Sequence, residues 1–312
     1  MSIEFYLGVD RFLVQNKPNA TNIINKDPND IYINFWRGGY SKPIIESVTS
    51  SMPNLYIYDH LTIISETDSG VEEVVEVDTK NPTLLAVYNS NYLHFLYETI
   101  GRVLYLRYLG LDFYTKILVQ GYLDNLIFSK SNWEEFGILQ DDILYTTQFK
   151  ELSLSKSINT SSKSLIHLES YSITSKLLRE NLRLSGSPIK DIYVSRKNAI
   201  SDKRFIKDEE LIEEYFIGLG YEIVYNEKLT FDQQRNIYKD ARTIVGISGT
   251  GLVNILFAPD ECKLIELRTS DFRNDDVFKY ICKFLDNDYE LVECFDSNNS
   301  AAPVINKLTS LQ

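Results

Sequence analysis

Thr243–Leu267 reads TIVGISGTGLVNILFAPDECKLIEL. Ile244 and Val245 make a buried strand, Gly246, Gly249 and Gly251 a tight turn, and Leu252–Ala258 a short apolar helix broken at Pro259. A second apolar strand, Lys263–Leu267, carries an acid, Glu266, at its end. Strand, glycine turn, helix and acid-tipped strand is the order in which an open parallel sheet builds a nucleotide pocket. Glycine lets the backbone approach a phosphate, and the free N–H groups of a helix start supply donors and a favourable dipole end. The expected anion-binding residues are Ser248, Gly249, Thr250 and Gly251, and Glu266 is expected to accept hydrogen bonds from a ribose diol. The plainer reading is a tight strand–helix turn that binds nothing.

Two sharper motifs fail. The dinucleotide fingerprint needs a third glycine where Asn254 stands, which argues against an oxidoreductase. The nucleophile elbow of serine hydrolases needs glycine where Thr250 follows Gly246 and Ser248.

Around this stretch the second half of the chain alternates. Strand Asp191–Ser195 precedes helix Asp208–Leu219, strand Tyr221–Tyr225 precedes helix Phe231–Ala241, and strand Thr243–Ile247 leads into the glycine turn. Helix Asp275–Leu285 and strand Tyr289–Cys294 follow. Asp208 reads as an N-cap and Gly220 as a helix stop. Such alternation implies a parallel sheet. Ser185-Gly186-Ser187-Pro188 is the natural boundary. The expected domains are 1–185 and 188–312, the last ~10 residues packing back on the first.

The first half is less regular. Short strands are expected at Ile31–Phe35, Leu55–Tyr58, Leu61–Ser65, Val71–Val77, Ile117–Gln120 and Ile143–Tyr145. Leu152–Ser164, rich in Ser, Asn and Thr, reads as a loop, and Tyr171–Leu184 as a helix.

The chain has 312 residues, 44% of them hydrophobic and 12% aromatic, enough for two cores. A net charge of −12 argues against nucleic acid, whose phosphates demand a basic surface. It sets no limit on a small anion held in a local positive pocket. Cys262, Cys282 and Cys294 lack metal spacing and read as buried thiols of a reducing compartment. The N-terminus MSIEFYLGVD has no basic region or long apolar run, and no stretch reaches membrane-spanning length. A soluble, cytoplasmic protein is expected.

Two further groups carry candidate chemistry. In residues 89–110, NSNYLHFLYETIGRVLYLRYLG, the residues Leu93, Leu96, Ile100, Val103, Leu104 and Tyr108 share one helical face. His94, Glu98 and Arg102 lie four apart on a separate polar stripe. A neutral imidazole near a helix start suits a general base, and an adjacent carboxylate can orient it. The same stripe also reads as a surface ion-pair ladder. Between Lys190 and Lys207, six basic residues face two acids, and Arg196 directly follows a strand. Arginine's fork of donors suits a diphosphate, and Arg196 and Arg204 are the candidates. Asp286-Asn287-Asp288 spells the D-x-D of metal-dependent sugar transferases but sits where Asp and Asn are ordinary turn residues. No metal is therefore expected.

Three segments, with an island in the first half, resemble glycosyltransferase family 61. Tyr193-Val194-Ser195-Arg196 with Arg204 and the acidic helix after it resembles that family's "SR…R.I.NE.EL" segment. Leu229-Thr230-Phe231-Asp232-Gln233-Gln234 resembles its "LSF.EQ" helix start, and Ile244–Leu267 its "IVG.HGAGLTNLLF…VIEL" stretch. Asn91-Tyr92-Leu93-His94-Phe95 with Glu98 resembles its "NYFHW…D" helix. Ser248 stands in place of the family's His, Thr250 in place of its Ala, and Lys207-Asp208 in place of its Asn-Glu.

The resemblance implies a GT-B fold of two facing Rossmann-like domains. It also implies an inverting, metal-independent transfer from a nucleotide-sugar, UDP-linked, to a hydroxyl of a glycan or glycoconjugate. No cofactor beyond that co-substrate is expected. His94 would be the base and Glu98 its orienter or substitute. The donor side would comprise Arg196, Arg204, Ser248, Gly249, Thr250, Gly251 and Glu266. The alternative is a related binding or structural module that has lost catalysis, motivated by Ser248.

Overall fold

The computed structural model describes residues 3–7, 10–14, 20–22, 55–65, 74–77, 83–85, 92–108, 116–119, 130–145, 151–160, 168–198, 206–268, 276–294 and 300–310. Arg204 and the strand expected at Ile31–Phe35 lie outside the described residues, as do the side chains of His94 and Glu98. The chain divides into two compact units, Met1–Leu178 and Arg179–Gln312.

The first unit is built on a mixed sheet of nine strands. They are β1 (Ile3–Leu7), β2 (Asp10–Val14), β3 (Ala20–Asn22), β4 (Leu55–Ser65), β5 (Val74–Val77), β6 (Thr83–Leu85), β7 (Lys116–Val119), β8 (Ile143–Tyr145) and β9 (Glu151–Thr160). The order is β1-β2-β4-β9-β6-β7-β8, with β3 paired to β4 and β5 to β9. Neighbours from β1 to β9 are antiparallel, and those from β9 to β8 are parallel. This unit is therefore not a purely parallel, Rossmann-type sheet.

One expectation fails outright here. The segment read as a loop at Leu152–Ser164 is mostly β9, which pairs with β4 over its whole length from Leu55↔Thr160 to Ile64↔Glu151. Serine and asparagine suggested a loop, but Leu152, Leu154 and Ile158 already alternate at period two, and pairing on both sides decides a strand. The two strands expected at Leu55–Tyr58 and Leu61–Ser65 are the single strand β4.

Between β6 and β7 runs the helix expected at residues 91–109, and it is not uniform. α1 (Tyr92–His94) passes into a π-helical turn, Phe95–Ile100, and then α2 (Gly101–Tyr108). A π turn bonds i to i+5, so a four-residue spacing no longer runs straight along the helix. Arg102 is 6% exposed, and all of Gly101–Leu106 is buried, so Arg102 takes no part in a surface ladder. Tyr108, placed on the same helical face as Leu104 and Val103, is 59% exposed while those two are buried. The helix is apolar on several sides, and such a helix is wrapped by its neighbours. Phe95 packs edge-on against Trp133 at 5.4 Å, and the Tyr97 hydroxyl lies 2.9 Å from Ser175 Oγ. Ser175 belongs to α3 (Leu168–Leu182).

The second unit is a five-stranded, all-parallel sheet: β10 (Lys190–Val194), β11 (Glu222–Val224), β12 (Ala241–Ile247), β13 (Lys263–Arg268) and β14 (Asp288–Glu293). Its helices are α4 (Glu209–Gly218), α5 (Phe231–Tyr238), α6 (Val277–Phe284) and α7 (Ala301–Ser310), with 3₁₀ segments at Asn226–Lys228 and Thr250–Phe257. The strand order is β11-β10-β12-β13-β14. From β10 the chain steps outward to β11, then returns past β10 to β12. That reversal is the topological switch of doubly wound sheets, and ligands bind outside the carboxyl ends of the strands flanking it.

Tyr193, Val245, Ile247, Leu267 and Val292 pack with Ile212 and Phe216 of α4 and with Ala301 and Val304 of α7. The final residues, expected to return to the first domain, instead close this core, because Ala301 and Val304 give α7 an apolar stripe. Asp208 is at the N-cap of α4 but left-handed, φ 61°, and its side chain caps nothing. Gly220 ends that helix as expected, at φ 85°, with Tyr221 N–H donating to Phe216 O and Gly220 N–H to Ile217 O.

Candidate functional site

The site grows out of the switch point. Val194 is in register with Gly246, and Gly246 with Glu266, so the exits of β10, β12 and β13 lie side by side. The segment after β12 starts a 3₁₀ helix at Thr250, where an α-helix was expected, and Leu252 N–H closes its first turn on Gly249 O at 3.0 Å. Ser248 N–H, expected among the anion donors, instead donates to Leu267 O at 2.9 Å, because it still continues the ladder between β12 and β13. Helix geometry leaves the N–H groups of Thr250 and Gly251 without an intrahelical acceptor. They are donors at the positive end of a short dipole.

Two of the glycines admit close approach by side chains. A Cβ on residue 249 would collide with Nη1 of Arg196. A Cβ on residue 251 would stand 2.7 Å from Nδ2 of Asn226. The first of these contacts is the informative one, because it brings the arginine that leaves β10 onto the turn that leaves β12. Burial lowers the Arg196 pKa, against the opposing charges of Glu209 and Glu227, and the group stays protonated. Its Nε–H is buried without a hydrogen-bond acceptor among the described residues. A desolvated guanidinium beside helix-start amides has the donor chemistry that suits an anion.

Glu266 is 2% exposed. One carboxylate oxygen accepts from the Ser248 hydroxyl, and Oε2 accepts from Tyr289 OH at 2.7 Å. Nη2 of Arg268 lies 3.6 Å from Oε1. Burial, then the Glu266 charge, pushes the Tyr289 phenol far above its ordinary value. Glu266 thus braces the Ser248 turn, and a ribose hydroxyl would reach it only in exchange for Ser248.

Beneath the turn lies a polar network that sequence reading missed. Tyr238 OH donates to Asn226 Oδ1 at 2.9 Å, Gln234 Nε2 to Asn226 O at 3.0 Å, and Asn254 Nδ2 to Gln234 Oε1 at 2.7 Å. Asn254, which broke the dinucleotide fingerprint, therefore ties the 3₁₀ helix to α5. The Thr230–Gln233 capping box fixes the start of α5 and so aims Gln234 inward. The sequence places a helix start at Phe231, whereas this box and the contact with Asn254 come only from the structure.

Asp286 and Asp288 flank a turn. Asp286 is left-handed at φ 56°, and Asn287 between them is buried, donating to Pro259 O at 3.0 Å and Cys262 O at 3.2 Å. The three cysteines are buried and free, and burial raises Cys262 to about 12 and Cys294 to about 11. No described helix is long and apolar enough to cross a membrane.

A model of the family described as glycosyltransferase 61 matches residues 92–265, more than half of the chain. The chain belongs to glycosyltransferase family 61. The match opens on Tyr92 of α1 and runs through Arg196 and the glycine turn to Ile265, taking in parts of both units. Family 61 membership supports a glycosyltransferase with a sugar donor and an acceptor as substrates. No curated protein matches the chain.

Proposed function

We propose that this family 61 member is an inverting glycosyltransferase that takes its sugar from a nucleotide-sugar, UDP-linked, and delivers it to a hydroxyl of a glycan or glycoconjugate. The reading rests on Arg196, a mostly desolvated cation against Gly249 at the switch point of a parallel sheet, next to two free amides. Arg196, Arg204 and the amides of Gly249, Thr250 and Gly251 hold the diphosphate, with Ser248 and Glu266 on the ribose side. The acceptor is assigned to the first unit.

In an inverting transfer the acceptor oxygen attacks the anomeric carbon opposite the leaving diphosphate. His94 takes the acceptor proton, with Glu98 orienting or replacing it. The bond from the anomeric carbon to the phosphate oxygen breaks, and its electron pair stays on the nucleoside diphosphate. Arginine and helix-end amides stabilise that charge electrostatically, which removes the need for a metal. Activity is therefore expected to survive EDTA. Activity abolished by chelation and restored by manganese would return attention to Asp286 and Asp288.

Calorimetric titration with UDP, followed by assay of UDP-sugar hydrolysis in the absence of acceptor, tests the reading. UDP binding with slow hydrolysis supports it. Binding with no hydrolysis favours the alternative, a nucleotide-sugar-binding module without catalysis. One observation speaks for that alternative: Ser248, at the family's histidine position, turns its hydroxyl inward to Glu266.

A further inference from the structure

Glu209 and Glu213 begin α4 four residues apart and are 2% and 7% exposed. Like charges one helical turn apart repel, and a buried carboxylate is costly unless donors surround it. Each is fed by two donors. Glu209 Oε1 accepts from the Tyr193 hydroxyl at 3.0 Å and from the backbone N–H of Arg196 at 2.8 Å. Glu213 Oε1 accepts from the Ser195 hydroxyl at 2.6 Å and from Tyr225 OH at 3.0 Å. Ser195 Oγ in turn accepts from Lys197 N–H at 3.2 Å. The segment by which β10 leaves the sheet, residues 195–197, is thereby tied to one face of α4.

We infer that Glu209 is a positioning residue of the donor site: by gripping the Arg196 main chain it aims the guanidinium at the glycine turn. The inference rests on the donor-site reading above. It separates two properties of one carboxylate. As an acceptor, Glu209 holds Arg196 in place. As a charge, it offsets the cation that the diphosphate needs.

Two substitutions part these roles, because Glu209→Gln keeps a carbonyl acceptor and removes the charge, whereas Glu209→Ala removes both. With UDP as the titrant, Glu209→Ala should bind at least about 10-fold more weakly than wild type, the loss expected for a hydrogen bond to a charged group. Glu209→Gln should stay within about 3-fold of wild type or bind more tightly, since the acceptor is retained. Tyr193→Phe, which strips the other donor from the same oxygen without touching Arg196, should lower the melting temperature and leave UDP affinity within about 2-fold.

Wild-type affinity in Glu209→Ala overturns the inference. So does a loss in Glu209→Gln equal to that in Glu209→Ala, because the charge and not the grip would then matter. If Glu209→Ala does not fold, the other two variants decide. Tyr193→Phe weakening UDP binding as much as the lost acceptor was expected to would mean that affinity follows general damage to the core, and overturns the inference. Wild type that binds neither UDP nor inorganic pyrophosphate defeats the donor-site reading itself, and the inference falls with it.

Discussion

Arg179 and Arg196 are both desolvated guanidinia of the second unit, and burial lowers the pKa of each. Arg179 spends its donors inside the protein. Nη1 donates to Asp260 Oδ1 at 3.1 Å and Leu285 O at 2.8 Å, and Nη2 to Ile255 O at 3.0 Å and Asn287 Oδ1 at 2.5 Å. It joins the end of α3 to the 3₁₀ helix and to the turn after α6. Arg196 sits at the sheet's carboxyl edge against Gly249. The Nε–H of both arginines is buried without an acceptor among the described residues, so the contrast lies in the Nη groups: four hydrogen bonds for Arg179, a close approach to the glycine turn for Arg196. The same side chain, buried to a similar cost, acts as a rivet in one place and keeps its donors in reserve in the other. What tells them apart is partner geometry, not residue type or burial.

The comparison breaks most easily at Arg179. Arg179→Ala leaves Asn287 and two carbonyls without a donor, and should cost about 3–5 kcal/mol of stability, the range for breaking a buried charged network. Denaturant unfolding measures it. A loss under about 1 kcal/mol would mean Arg179 is no rivet.

Chemistry should separate from both arginines. His94→Ala is expected to keep fold and UDP binding but to lose at least about 100-fold in turnover, as when a general base is removed. Glu98→Gln should cost less if Glu98 orients His94 and more if it is itself the base. Wild-type turnover in both variants would move the base elsewhere.

Arg196→Ala should weaken UDP binding by about 1.5–3 kcal/mol while the melting temperature barely moves. This is the inverse of the Arg179 result, and unchanged UDP affinity by calorimetry counts decisively against the donor site. Gly249→Ala, which pushes on Nη1, should act in the same direction and more weakly.

The smallest effect belongs to an exposed arginine. Arg242 pairs with Asp191, and that hydrogen bond holds the Asp191 carboxyl below its ordinary value. A carboxyl lowered in the folded state stabilises above its unfolded value of about 3.9, and the contribution is lost as pH falls through the lower folded value. Glu209, raised chiefly by burial, carries the opposite sign: it favours the fold when protonated, and that gain is lost as pH rises through its folded value. Thermal unfolding against pH should therefore be less acid-sensitive in Asp191→Asn than in wild type, with UDP affinity unchanged.

How much of this was legible in the chain varies with how locally each feature is encoded. The alternation of the second half, the turn of Gly246–Gly251, and Arg196 as a strand's exit residue could be read directly. The helix start at Phe231 was legible too, whereas the Thr230–Gln233 capping box that fixes it came only from the structure. The strand at Glu151–Thr160 was misread, because serines are judged locally as loop residues while a central strand is stabilised by neighbours distant in sequence. Asn226, Gln234 and Asn254 become a network only where α5 and the 3₁₀ helix meet, a pairing no single segment encodes. The π turn at Phe95–Ile100 likewise had no signal in a spacing read at 3.6 residues per turn.

The sequence by itself determined the parallel sheet of the second unit, the glycine turn and the position of Arg196 at a strand's exit, because periodicity, turn chemistry and local charge are short-range properties. Only the tertiary structure decided which buried cation is spent and which is kept, and that Glu266 braces Ser248 while Glu209 grips Arg196. Those outcomes depend on which donors and acceptors the strand order brings within 3 Å of one another, a distance set by register and packing across residues far apart in the chain.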